Sequence, residues 1–272
     1  MKNILKIVLF FAFVGSIVAQ QTPASKQTTA ITIEGATAHL GNGQVIENSL
    51  IMFVDGKITF IGSAMMKIAR MGTIIKAEGK HIYPGFIALD TTLGLVEIDA
   101  VKASDDESEI GIMNPHVRSL IAYNAESKLV ESMRPNGVLM AQIVPKGGTI
   151  SGTSSIVQLD AWNWEDATIK TDDAIHLNWP GSFTSGRWWL GEDPALKPNA
   201  EYPKNVEKIN SFFTDAKQYL ASKSDKKHLP FAATKGLFDG SQKLFIHVNG
   251  EKEITDAITL SKELGINNLV IV

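Results

Sequence analysis

Cysteine is absent from all 272 residues. Its absence excludes disulfides, thiolate metal ligands, thiol catalysis and a lipid-modified N-terminal cysteine. An excess of one charge is also lacking: 26 Lys and Arg stand against 29 Asp and Glu, for a formal net charge of -3. That balance gives no electrostatic basis for binding nucleic acid or an acidic membrane surface. Neither a P-loop nor a G-x-S-x-G elbow occurs, so the local signatures of nucleotide binding and of a serine hydrolase are missing. Histidine is sparse. The six residues His39, His81, His116, His176, His228 and His247 lie too far apart in sequence for any two to form a local chelate.

Long apolar runs are also rare. Residues 7–18 form an apolar stretch of about twelve residues, too short to span a bilayer. Lys2 and Lys6 lie at its start and Ala19 follows it, which is the pattern of a secretory signal over residues 1–19. Export, as a secreted or periplasmic protein with no stable membrane insertion after cleavage, is the expectation. A retained N-terminal anchor is the alternative, because Ile17 rather than a small residue lies three before the expected cut. Cleavage would remove Lys2 and Lys6 and take the mature charge to -5.

Apolar residues make up 44% of the chain, enough for a sizeable core. Residues 20–30 are polar and read as a flexible linker. Short β-prone runs follow, "AITIEGATAHL", "NSLIMFV", "KITFIG" and "TIIKAEG", with Asp55-Gly56 as a two-residue hairpin signal. Residues 31–83 therefore read as a small antiparallel β unit. Beyond Pro84 strands alternate with helices. "GFIALD", "GVLMAQIVP", "KLFIHV" and "NNLVIV" are strands. The stretch from Asn114 to Gly137 reads as a helix capped by Asn114, with Pro115 at its first turn and Val117, Leu120, Ile121 and Asn124 on one stripe. "YPKNVEKINSFFTDAKQYLASK" is amphipathic, with Val206, Ile209, Phe213, Ala216 and Leu220 at helical spacing. "EKEITDAITLSKELG" is a helix ended by Gly265. Alternation of this kind implies a mainly parallel sheet.

Three pieces carry a family likeness: "ENSLIMFVDGKITFIGSA", "GKHIYPGFIALDTTLGL" and "KLFIHVNGEKEITDAITLSKELGI". Together and in this order they resemble the amidohydrolase superfamily, and within it the imidazolonepropionase-like branch. The likeness covers residues 31–272. It implies an α/β fold: a TIM-type (β/α)8 barrel at 84–272, preceded by a small antiparallel β-sandwich portion at 31–83. A complete barrel takes roughly 250 residues. Val272 falls inside an apolar strand, so the barrel is expected to be truncated at its C-terminal strands, with a smaller open sheet as the alternative. Half a barrel exposes open edges, and self-association follows as an expectation.

The resemblance also implies a hydrolase acting on carbon-nitrogen bonds other than peptide bonds, in a cyclic amide or similar small molecule. In the family two histidines, one residue apart, end the first barrel strand. On a strand such residues share a face and aim at one ion. Here those slots hold Asp90 and Thr92, and Ala88 replaces an acid that often precedes the pair. The expected metal ligands are thus Asp90 and His247, with zinc, manganese or magnesium as the ion. Asp90 is also the expected catalytic group. Either residue could instead be an ordinary strand-end or interior polar side chain.

Two further stretches bear on substrate. "VPKGGTISGTSS" can aim backbone N–H groups at an anion, which points to Gly148 and Thr149; a tight turn between strands is the alternative reading. All five tryptophans, Trp162, Trp164, Trp179, Trp188 and Trp189, fall in an insertion at about 160–200. With His176 they could wall a barrel mouth, so Trp164 and His176 are taken as substrate-binding; compact aromatic packing is the alternative. The acidic run Asp105, Asp106, Glu107 and Glu109 reads as a solvated face. Two readings compete with a metal-dependent hydrolase. One is a catalytically degenerate barrel that binds a ligand or partner, and the other is a metal-free enzyme with Asp90 as general base.

Overall fold

The computed structural model describes residues 22–222 and 226–272, so the expected signal segment at 1–19 lies outside the described residues. The chain divides into two units, with the boundary between Phe86 and Ile87.

In the first unit the β-prone runs become β1 (Ile31–Glu34), β2 (Thr37–His39), β3 (Val45–Ile46), β4 (Ser49–Val54), β5 (Lys57–Ser63), β6 (Thr73–Lys76) and β7 (His81–Ile82). Asp55 and Gly56 both take positive φ and close the β4–β5 hairpin, as a two-residue turn of this handedness requires. One sheet has the order β5-β4-β1-β6 and the other β3-β2-β7. The unit is mixed, not antiparallel as expected, because β1 pairs parallel with β6 and β2 pairs parallel with β7. Tertiary contacts override local hairpin pairing here. Arg70 pairs with Glu34, and Thr32 exchanges hydrogen bonds with Met71, so the chain is carried back to the far side of β1. The polar lead-in is held as well: the Gln27 amide donates to Phe53 O and accepts from Gly56 N.

The second unit is built on β8 (Phe86–Thr91), β9 (Val138–Ile143), β10 (Ile150–Gln158), β11 (Thr168–Asn178), the short pair β12 (Phe183–Thr184) and β13 (Lys197–Pro198), β14 (Lys243–His247) and β15 (Leu269–Ile271). Its six-stranded sheet has the order β15-β14-β11-β10-β9-β8. β10 runs antiparallel to both β9 and β11, whereas β11, β14 and β15 are mutually parallel. The helices are α1 (Lys128–Met133), α2 (Trp164–Ala167), α3 (Tyr202–Ala221), α4 (Leu229–Ala233), α5 (Lys235–Asp239) and α6 (Glu251–Leu264). Among the described residues no helix is long and apolar enough to cross a membrane.

Period-two alternation decides which strand residues pack and which are left for chemistry. Ile175 and Leu177 of β11, with Leu244 and Ile246 of β14, join Ile209 and Phe213 of α3 and Ala257 and Leu264 of α6 in the main core. Each fully buried aliphatic side chain there contributes about 1.5–3 kcal/mol. The intervening residues, His176 and Asn178 on β11 and Phe245 and His247 on β14, fall on the other face. A second core under β9 and β10 gathers Leu120, Tyr123, Val130, Ile143, Val157 and Leu159.

Two sequence expectations fail in this unit. The helix expected over 114–137 is broken up: a 3-10 turn at Ser119–Ala122, then α1, then a 3-10 turn at Arg134–Asn136. The sheet takes the backbone groups that a helix would need. Thr153 N donates to Val117 O, Thr153 Oγ1 donates to Pro115 O, and Ser119 Oγ donates to Ile143 O. Secondly, the glycine- and serine-rich stretch from Ile150 is no turn. It forms the buried strand β10, paired along its length with β11.

Candidate metal centre

Asp90 lies near the end of β8, His176 near the end of β11 and His247 at the end of β14. In the β11–β14 register Asn178 stands opposite His247, so His176 is its diagonal neighbour on the same face. The two rings meet with His176 Nδ1 3.0 Å from His247 Nε2. Asp90 Oδ2 is 3.8 Å from His247 Nδ1. One ligating atom from each of the three residues lies within 4.8 Å of the others, and among the described residues this is the one such group of three.

The electrostatics keep both imidazoles neutral. Burial pushes the His176 pKa down to about 3, with help from the neighbouring His247 and Lys146. Burial also lowers His247, opposed by Asp90 and reinforced by Lys146. A neutral imidazole is the form that ligates a metal. Lys146, just past β9, places Nζ 3.0 Å from Asp90 Oδ1. Asp90 itself has φ +49, a left-handed backbone uncommon outside glycine, and holds its carboxylate at the rim in that conformation. Two imidazoles and a carboxylate, converging from three strand ends, fit a divalent cation that accepts mixed nitrogen and oxygen ligands.

The expected residues separate by position. Asp90 and His247 come together as their strand-end pattern suggests. His176, expected to touch substrate, joins them as a third ligand candidate. Gly148 and Thr149 precede β10, at the rim where β11 ends. Asn178 Nδ2 ties that loop down by donating to Gly148 O, and both residues line a cavity of about 190 Å³ with Asn178, Asn205 and Lys208. However, the Thr149 N–H donates to Ile112 O at 2.8 Å, so that amide is already committed. Trp164 does not belong to the site. It opens α2, between the end of β10 and the start of β11, at the opposite end of those strands, and packs against the second core.

The tryptophans form no common wall. Trp179 is buried and donates from Nε1 to Tyr202 OH, while Trp188 and Trp189 are exposed on a 3-10 turn. The pairing of His176 with His247 has a faint trace in sequence. Ile175-His176-Leu177-Asn178 and Ile246-His247-Val248-Asn249 share the pattern Ile-His-aliphatic-Asn. Reading both as strands with the histidine on the inner face would have placed the rings side by side.

No protein-family model and no curated protein matches this chain. Among solved structures, an amidohydrolase from Thermotoga maritima MSB8 superposes with a TM-score of 0.72 at 20% identity, over 89% of this chain and 63% of that one. A prolidase complexed with N-methylphosphonate-L-proline is matched with a TM-score of 0.43 at 13% identity, over 85% of this chain and 59% of that one. The first likeness establishes a shared fold. The chain spans less than two thirds of the length of either structure.

Proposed function

We propose that the chain is the larger part of an exported, metal-dependent hydrolase of the amidohydrolase superfamily. Within it the imidazolonepropionase-like branch is the nearest fit, with a complete (β/α)8 barrel in the whole fold. The substrate is a small molecule with a carbon-nitrogen bond other than a peptide bond, in a cyclic amide or a related carbonyl compound. The observation that carries this reading is the convergence of Asp90, His176 and His247 at three strand ends, where enzymes of this fold place their chemistry.

Two nitrogens and one carboxylate favour zinc or manganese over magnesium. A divalent ion held there would supply water that is acidic near neutral pH. The chain's own groups then have defined tasks. His176 and His247 present neutral ring nitrogens. Asp90 presents an oxygen, and Lys146 places a positive charge beside it, able to hold an anionic or carbonyl oxygen of the substrate. Asn178, the cross-strand partner of His247, holds the loop at Gly148 beside the strand end.

The Lys146–Asp90 pair favours a second reading, a metal-free binding barrel in which the ammonium already supplies the cation. Magnitudes favour the metal. Both side chains are partly exposed, 37% for Lys146 and 26% for Asp90. Such a pair contributes under about 1 kcal/mol. Metal sites reach about 10 kcal/mol and can displace it. Elemental analysis of the purified chain and calorimetric titration with zinc decide between the readings. One equivalent is expected, lost in His176→Ala and His247→Ala. A chain that takes up no zinc or manganese after chelation and dialysis would leave the binding-barrel reading standing.

A further inference from the structure

Beneath the centre lies a buried polar chain whose two ends are backbone groups of fixed polarity. At one end Asp90 N–H can only donate, and it donates to Gln142 Oε1 at 3.4 Å. That fixes the Gln142 amide, which therefore directs Nε2 at Ser154 Oγ, 3.3 Å away. At the other end Ala174 O can only accept, and it lies 3.3 Å from Ser154 Oγ. Ser154 has one proton to donate, and Ala174 O is its one neighbour in this chain that can act only as acceptor. Its remaining lone pair faces His176 Nε2 at 2.8 Å. Gln142, Ser154 and His176 are 1%, 0% and 0% exposed, so the chain is closed off from bulk solvent.

We propose that Gln142 and Ser154 are positioning residues that lock His176 in the Nε2–H tautomer and make Nδ1 its ligating atom. The second half of this statement rests on the metal reading above; the tautomer lock does not. The alternative, an Nδ1–H tautomer donating to His247 Nε2 at 3.0 Å, would turn a bare Nε2 toward Ser154 and draw the serine proton away from Ala174. The same glutamine also holds the amide of Asp90, so one side chain orients two of the three ligand candidates. Outer partners of this kind typically change metal affinity by about 10–100-fold when removed.

The test begins with the unmutated full chain, uniformly 15N-labelled and metal-free near neutral pH. Two-bond 15N–1H spectra distinguish the tautomers, and the His176 signals are assigned from a His176→Gln spectrum. The Nε2–H pattern is expected; an Nδ1–H pattern overturns the proposal. Cobalt(II) titration, followed by its visible absorption, is then compared for the parent and Ser154→Ala, with melting curves confirming that both are folded. A 10–100-fold weaker affinity in Ser154→Ala is expected, and affinity equal to the parent overturns the positioning role. If the parent takes up no metal while His176 shows the Nε2–H pattern, the metal reading fails and the tautomer lock stands.

Discussion

Tyr123 has its hydroxyl buried in the second core with no hydrogen-bond partner among the described residues, whereas the Tyr202 hydroxyl accepts from Trp179 and donates to Asp256 at 2.7 Å. Burial is the leading cause in both, and it pushes each phenol up to about 12. A folded-state pKa raised above the unfolded value near 10 gives stability that is complete below about pH 10 and is lost as pH climbs toward 12. Denaturant midpoints at pH 8 and pH 11 should therefore show an alkaline loss in the parent that shrinks in Tyr123→Phe. At pH 8 Tyr123→Phe should be neutral or stabilising by up to about 1 kcal/mol, since an orphan hydroxyl is removed, while Tyr202→Phe should cost about 1–2 kcal/mol. A clear loss in Tyr123→Phe at pH 8 would mean the hydroxyl has a partner after all. At this scale the site was partly legible in sequence. Asp90 and His247 end recognisable strands, but the closeness of His176 to His247 arises from the adjacency of β11 and β14, which no local spacing encodes.

Gly152 interrupts the β10–β11 register with φ +146, and an added Cβ would lie 2.6 Å from Val117 O. The close approach brings residues 114–119 onto the sheet and explains why they do not coil into a helix. Gly152→Ala should cost about 2–4 kcal/mol, combining backbone strain with the loss of that contact. Thermal unfolding measures the cost, and hydrogen exchange should show faster exchange at Thr153, whose N–H bonds Val117 O. Unchanged exchange there would separate the glycine from the anchoring of that segment. Elements with one clear apolar face were legible: α3 and α6 fall where their spacing predicts. β10 was not. Its Ser and Thr side chains read as a loop, and only burial between β9 and β11 makes sense of them as a strand.

Across the second unit the sheet ends at β8 on one side and β15 on the other. Ile87 and Leu89 on β8 are 49% and 66% exposed. We propose that these edges pair with a second copy when the chain is produced as it stands, because an unpaired apolar edge recruits further strands. Sedimentation velocity up to about 100 μM should show concentration-dependent association, reduced in Leu89→Lys. A monomer throughout would show that the edge is already protected. In the second unit the mixed α/β architecture was legible as alternating strands and helices. The antiparallel insertion of β10, which no alternation pattern signals, was not.

The three ligand candidates have a consequence for timing. They stand at positions 90, 176 and 247, and the last joins the others only when β14 has docked beside β11. During synthesis, a nascent chain that has not yet exposed residue 247 holds at most two of them, and β11 still lacks β14 beside it. An ion that needs all three ligands therefore could not template the early sheet. Under the proposed metal reading it would be acquired once β14 has docked, in whichever compartment the protein folds. The metal supply of that compartment, as much as the affinity of the ligands, would then decide which ion the centre holds.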